Sequence, residues 1–65
     1  MNGVMMTIKG IEFTEVVDVL DVIDCYDQDV EVRGFDGEGV EWSAIGCESC
    51  GEIVDIDEDS IEYIG

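Results

Sequence analysis

The sequence predicts an α+β fold in which one helix packs on a small antiparallel sheet, in the order β-α-β-β-β-β. Three observations support this prediction: an apolar run whose residue pairs recur every three positions, several short segments rich in Val and Ile, and Gly-containing turns between them. The chain has 65 residues, of which 46% are hydrophobic. We therefore expect one small domain, residues 1–65, with a limited core.

The first strand and the helix occupy the N-terminal part of the chain. Apolar residues within 4–13 indicate a strand, with a kink expected at Gly10. Thr14 is a suitable N-cap for a helix over residues 14–26. The face of this helix that we expect to be buried consists of Val16, Val19, Leu20, Ile23 and Tyr26. Many β-branched residues and acids near the C-terminal end disfavour this helix. The alternative is an all-β small barrel in which residues 15–26 form a long bent strand.

The remainder of the chain has the pattern of a sheet. Residues 29–33 alternate polar and apolar, residues 36–39 have turn composition, and residues 40–45 form the return strand of a hairpin. Residues 46–51, which contain two cysteines, are expected to form a loop. Two short strands, 52–56 and 60–64, follow on either side of an acidic segment.

The charge balance excludes several classes of function. The chain has eighteen acidic residues, two basic residues (Lys9 and Arg33) and no histidine, so its net charge is -16. Direct binding to nucleic acid or to an anionic membrane is excluded because both require cationic side chains. Ser-His and Cys-His catalytic sites are absent as well. We expect a protein that is not an enzyme and has no cofactor.

The three cysteines are the basis of the main alternative hypothesis about function. Cys47 and Cys50 form a C-x-x-C pair and Cys25 is distant in sequence, whereas structural zinc requires four ligands. We therefore expect free thiols, no metal site and a reducing cytoplasmic location, because no signal peptide or membrane span is recognisable. The alternative is a cysteine- and zinc-stabilised structural or adaptor subunit of a larger assembly.

The acids are regularly spaced. On the expected helix, acids recur every three residues, or about 4.5 Å of rise, and on the strands every two residues, or about 6.7 Å. DNA carries one charge per about 3.4 Å of each strand, so rigid carboxylates at such spacings can imitate its field. The candidate partner-binding residues are Asp18, Asp21, Asp24, Asp27, Asp29, Glu31, Asp55, Asp57, Glu58 and Asp59.

In size and charge the chain resembles small acidic counter-defence proteins of bacteriophages, including nucleic-acid mimics that inhibit restriction or CRISPR machinery. The likeness is carried by the acid-rich stretches 15–31 and 52–62. It implies a non-enzymatic inhibitor that binds a basic, nucleic-acid-binding surface of a host defence protein, with DNA mimicry as the mode of binding. A homodimer is compatible with the apolar content, with Trp42, Phe35 or Tyr63 as candidate anchors.

Overall fold

The computed structural model describes residues 3–65, which form five antiparallel strands and no helix. The strands are β1 (Met6–Ile8), β2 (Ile11–Val22), β3 (Asp27–Phe35), β4 (Glu41–Ser49) and β5 (Glu52–Tyr63). Their order in the sheet is their order in the chain, and β1 also contacts β5, so the sheet curls into a nearly closed barrel. Within residues 3–65 there is consequently no helix with the length and apolarity to cross a membrane.

The predicted helix over residues 14–26 is wrong, and the all-β alternative is correct. The segment belongs mostly to β2, which contains one extra residue relative to β3 at each of three positions: Thr14, Val17 and Leu20. Each extra residue is a β-bulge. Because β2 advances three residues while β3 advances two, its apolar pairs recur every three positions, close to the helical period of 3.6. The β-branched content, which disfavoured a helix, is typical of a strand.

Two of the expected connections are tighter than the sequence analysis predicted. Lys9 and Gly10 have φ angles of 55° and 80°, so Gly10 belongs to a two-residue hairpin turn and is not a kink within a strand. Cys50 and Gly51 have φ angles of 53° and 83° and form the same kind of turn. Positive φ at both central residues is the mark of a type I′ turn, which matches the twist of the strands it joins. The expected loop 46–51 is thus mostly strand.

The C-terminal part of the sheet combines a confirmed hairpin with a merged strand. The hairpin around residues 36–39 is present as β3 and β4. The two short strands expected at 52–56 and 60–64 are one strand, β5, whose pairing with β4 is interrupted between Asp57 and Glu62. Ser60 satisfies the backbone there: its Oγ accepts a hydrogen bond from Ile45 N at 2.8 Å and donates one to Asp57 O at 2.6 Å.

The core lies on the inner face of the curled sheet. Its buried side chains come from β2, β3, β4 and β5, and half-buried residues of β1, β4 and β5 pack against them, Trp42 among them. The Trp42 ring meets the Tyr63 ring edge-on, with centroids 5.6 Å apart. The buried set is small and consists of Ile11, Phe13, Val30, Val32, Ala44 and Ile56.

Candidate functional site

The outer face of the sheet carries two parallel rows of residues in which carboxylates predominate. Each row crosses β2, β3, β4 and β5, because directly paired residues on neighbouring strands point to the same side. Strands lie about 4.8 Å apart, and the two rows are about 6.7 Å apart along each regular strand. The first row contains Asp18, Glu31, Ile45 and Asp57, and the second contains Asp21, Asp29, Cys47 and Asp55. We call their six carboxylates the acidic array.

The bulges of β2 place its two acids in the array. Asp18 and Asp21 are three residues apart, so in a regular strand they would point to opposite faces. The extra residue Leu20 restores both to the outer face, where Asp18 lies opposite Glu31 and Asp21 opposite Asp29. A sequence period of three, combined with one bulge per period, therefore keeps Asp18 and Asp21 outward and Val16, Val19 and Val22 inward.

The array contains two like-charged pairs in direct opposition, Asp18 with Glu31 and Asp21 with Asp29. Such pairs destabilise a sheet. Among residues 3–65, the outer face has one cation, Arg33, whose Nη2 lies 3.1 Å from Glu31 Oε2. Its Nη1 lies 3.8 Å from Glu41 Oε2, so Arg33 neutralises the margin of the array rather than its centre. The array therefore keeps a large net negative charge.

The centre of the array is a shallow depression in which Ile45 and Cys47 of β4 lie between acids of β3 and β5. Ile45 is exposed and gives this part of the surface an apolar floor. Desolvation raises the pKa of the Cys47 thiol, and the negative charges of Asp27, Asp29 and Asp55 raise it further. The thiol is therefore protonated near neutral pH, and a protonated thiol is a poor nucleophile.

The remaining predicted partner-binding residues lie outside the array. Asp27 is on the same face, opposite Ser49, and extends the array toward one end of the sheet. Asp24 has a structural role, because its Oδ1 accepts hydrogen bonds from Tyr26 N at 2.7 Å and Asp27 N at 3.0 Å and so closes the β2–β3 turn. Glu58 and Asp59 lie in the part of β5 that does not pair with β4. The Oε1 atom of Glu58 is 4.0 Å from Lys9 Nζ.

The sequence analysis missed further acids that the register places on the outer face. They surround the array on β2, β4 and β5 and bring the face to twelve of the eighteen acids of the chain. Two of them continue the three-residue series of β2 toward its start, a signal that was present in the sequence. The missed residues are Glu12, Glu15, Glu41, Glu52 and Glu62.

The three cysteines occupy different positions in the sheet and its turns. Cys25 and Cys50 are exposed in two turns, Cys47 is on the outer face, and all three are free thiols. In the described part of the chain, no group of three or more Cys, Asp or Glu residues is arranged to hold a metal ion. Of the candidate anchors, Phe35 is exposed on the outer face and Tyr63 packs against Trp42.

The outer face can thus be recognised chiefly through charge, by a surface that supplies many cations at once. Comparison with protein-family models, with curated proteins and with solved structures gives no match for this chain.

Proposed function

We propose that this protein is a non-enzymatic inhibitor whose acidic array binds a basic, nucleic-acid-binding surface of a host defence protein. The observation that carries the proposal is the arrangement of six carboxylates from β2, β3 and β5 in two rows across the sheet, with two like-charged pairs facing each other. Lys and Arg side chains of a partner would relieve this repulsion on binding. The partner is a protein of the reducing cytoplasm, where the three thiols of the inhibitor stay free.

The spacing of the array supports mimicry of nucleic acid. Its carboxylates lie about 4.8 Å apart between β2 and β3, about 9.6 Å apart between β3 and β5, and about 6.7 Å apart along a regular strand. These distances are of the same order as the charge spacing of DNA, about 3.4 Å of rise per strand. Carboxylates also accept paired hydrogen bonds from arginine, as phosphates do. A groove lined with Lys and Arg to hold a phosphate backbone can therefore bind the array.

The unequal distribution of charge supports the same proposal. Twelve of the eighteen acids lie on the outer face, where Arg33 is the one cation among residues 3–65. Concentrated like charge destabilises the folded state through self-repulsion. A binding role accounts for retaining that arrangement, since it gives fast, electrostatically steered association with a cationic surface.

Affinity capture from a host cytoplasmic extract tests the proposal. The immobilised protein should retain a nucleic-acid-binding protein at low salt and lose most of it at high salt, because exposed charge pairs are screened. Added duplex DNA should displace the captured protein. Retention of an enzyme that does not bind nucleic acid, indifferent to salt, would contradict the proposal, and a basic partner that DNA does not displace would indicate an adaptor instead of a mimic.

A further inference from the structure

We infer that the outward side of β4 is the floor of a channel that binds an extended, arginine-bearing segment of the partner protein. The channel, called the β4 channel, runs along β4 between acids of β3 and acids of β5. This inference rests on the proposed function and names the part of the partner that the outer face recognises.

The floor of the β4 channel is uncharged and partly apolar. Its side chains are the outward residues of β4 that pair with outward residues of β3, namely Ser43, Ile45, Cys47 and Ser49. In a chain of which 31% of the residues are charged, these four successive outward positions carry no ionised group. Ile45 is 42% exposed, and the raised pKa of Cys47 keeps its thiol neutral. The floor therefore offers an aliphatic surface to whatever lies between the walls.

Both walls of the channel are acidic. They consist of Asp27, Asp29 and Glu31 on β3 and of Glu52, Asp55, Asp57 and Glu62 on β5. The surface is concave where the walls face each other across Ile45 and Cys47. Arg33 lies opposite Ser43 and is already paired with Glu31 and Glu41, so it marks one end of the channel. Charge complementarity therefore requires a cationic occupant.

The width of the channel favours an extended chain over a helix. The walls belong to the strands on either side of β4, so their backbones are about 9.6 Å apart, twice the spacing of neighbouring strands. An α-helix with its side chains is about 10–12 Å across and would rest on the walls above the floor. An extended chain is about 4.8 Å wide, the distance at which strands pack side by side, and can lie between the walls.

The combination of floor and walls favours arginine over lysine. Asp29 and Asp55 both lie opposite Cys47, so a guanidinium held above Cys47 has a carboxylate on either side. The planar guanidinium donates paired hydrogen bonds to a carboxylate and is weakly hydrated, whereas the ammonium of lysine is a compact, strongly hydrated charge. The aliphatic stem of the same arginine can lie on Ile45.

Titration of the isotope-labelled protein with two peptides, followed by NMR, tests the inference. In the extended probe arginine and proline alternate, and proline prevents a helix. The second probe is an alanine-rich helical peptide with the same number of arginines. We expect the extended probe to bind about fivefold more tightly or better, with the largest shifts at the amides of residues 43–49. Equal affinity of the two probes, shifts spread evenly over the outer face, or binding of neither probe would overturn the inference.

The two proposals fail in different ways. A captured partner that DNA does not displace, with the extended probe still preferred, would overturn the proposed function alone. A DNA-displaceable partner, with no preference between the probes, would overturn the β4 channel alone.

A substitution at constant charge tests the apolar floor. Ile45→Ala should weaken binding of the extended arginine probe about threefold or more, because the arginine stem loses its contact. Val54→Ala on β5 removes the same kind of side chain at an exposure of 57%, outside the concave part of the channel, and should stay within about twofold of wild type. Circular dichroism and Trp42 fluorescence verify folding. Equal weakening by the two substitutions would overturn the assignment of the floor.

A change in the probe gives the same test without altering the protein. An extended probe with lysine in place of each arginine has the same charge, and we expect it to bind wild type about threefold more weakly or worse. Equal affinity for the lysine and arginine probes would contradict the recognition of arginine.

Discussion

At the scale of single residues, Gly34 shows how closely β2 and β3 approach. It lies on the inner face of β3 opposite Phe13, and a Cβ built on it would lie 2.6 Å from Phe13 Cα and collide with the backbone of Glu12 as well. Since both obstacles are backbone, side-chain movement cannot relieve the clash. The glycine is therefore required where the backbones of β2 and β3 approach this closely.

Gly34→Ala is expected to lower the free energy of unfolding by about 3 kcal/mol, as overpacking of a tight contact does. Gly37→Ala is the matched control, since a Cβ at Gly37 meets nothing within 4 Å; it should change stability by less than about 0.5 kcal/mol. Urea unfolding followed by Trp42 fluorescence measures both variants. Equal stability of the two variants would contradict this close approach of β2 and β3.

Asp36 organises the turn between β3 and β4. Its Oδ1 accepts hydrogen bonds from Glu38 N at 2.8 Å and Val40 N at 3.0 Å, and its Oδ2 accepts one from Trp42 Nε1 at 3.1 Å. The bond from Val40, followed by that from Trp42, lowers the pKa of Asp36 below its usual 3.8. The ionised carboxylate thus fixes both the turn and the orientation of a core aromatic residue.

The lowered pKa predicts a pH dependence of known sign. Ionised Asp36 stabilises the fold above its unfolded-state pKa near 3.8, and this contribution is lost as pH falls through the lower folded-state pKa. Asp36→Asn should therefore melt below wild type at pH 6, and the difference should shrink on acidification below pH 3.8. Glu38→Gln, in the same turn, controls for removal of one charge. A difference between wild type and Asp36→Asn that is constant down to pH 2 would contradict this role.

At the scale of elements, β2 decides both the fold and the site. Strands β3 and β4 were predictable because residues such as Val30 and Val32 alternate with polar neighbours, and residues 36–39 have turn composition. Strand β2 was not, because a strand with one bulge per three residues and a helix place apolar side chains at nearly the same period. The bulges exist only in the pairing with β3, and no residue of β2 by itself specifies them.

The candidate site was predictable in part for the same reason. Asp29 and Glu31 are two residues apart on a regular strand, and so are Asp55 and Asp57. Because side chains alternate between the two faces of a strand, the sequence predicts that the members of each pair lie on the same face. Asp18 and Asp21 were chosen as neighbours on a helix, yet they join the array through the register of β2 with β3. The structural role of Asp24 depends on a turn that the helix prediction excluded.

The like-charged pair of Asp21 and Asp29 gives a prediction at this scale. Asp21→Lys replaces repulsion by attraction across β2 and β3 and should raise the free energy of unfolding by about 0.5–1 kcal/mol. Glu38→Lys makes the same change of charge in the β3–β4 turn, away from the array, and should raise stability less. Thermal unfolding at low salt compares the two. An equal gain would mean that overall charge, and not the facing pair, causes the destabilisation.

At the scale of the whole molecule, the curled sheet separates two surfaces with different chemistry. The outer face concentrates carboxylates around the acidic array, while the uncovered part of the inner face is aliphatic. The two properties follow from one feature of the sequence, the repeated triplet of β2, which places Asp18 and Asp21 on the outer face and Val16, Val19 and Val22 on the inner face.

The central claim is that the position of the carboxylates, more than their number, determines binding, and a paired comparison of variants tests it. Asp21→Asn, Asp29→Asn and Asp55→Asn together remove three charges from one row of the array, whereas Glu38→Gln, Glu58→Gln and Asp59→Asn remove three from outside it. The measurement is the affinity of each triple variant for the captured, DNA-displaceable partner. We predict a loss of about a hundredfold or more for the array variant, or roughly 1 kcal/mol per charge, and less than about tenfold for the control. Equal losses in the two variants would contradict the account.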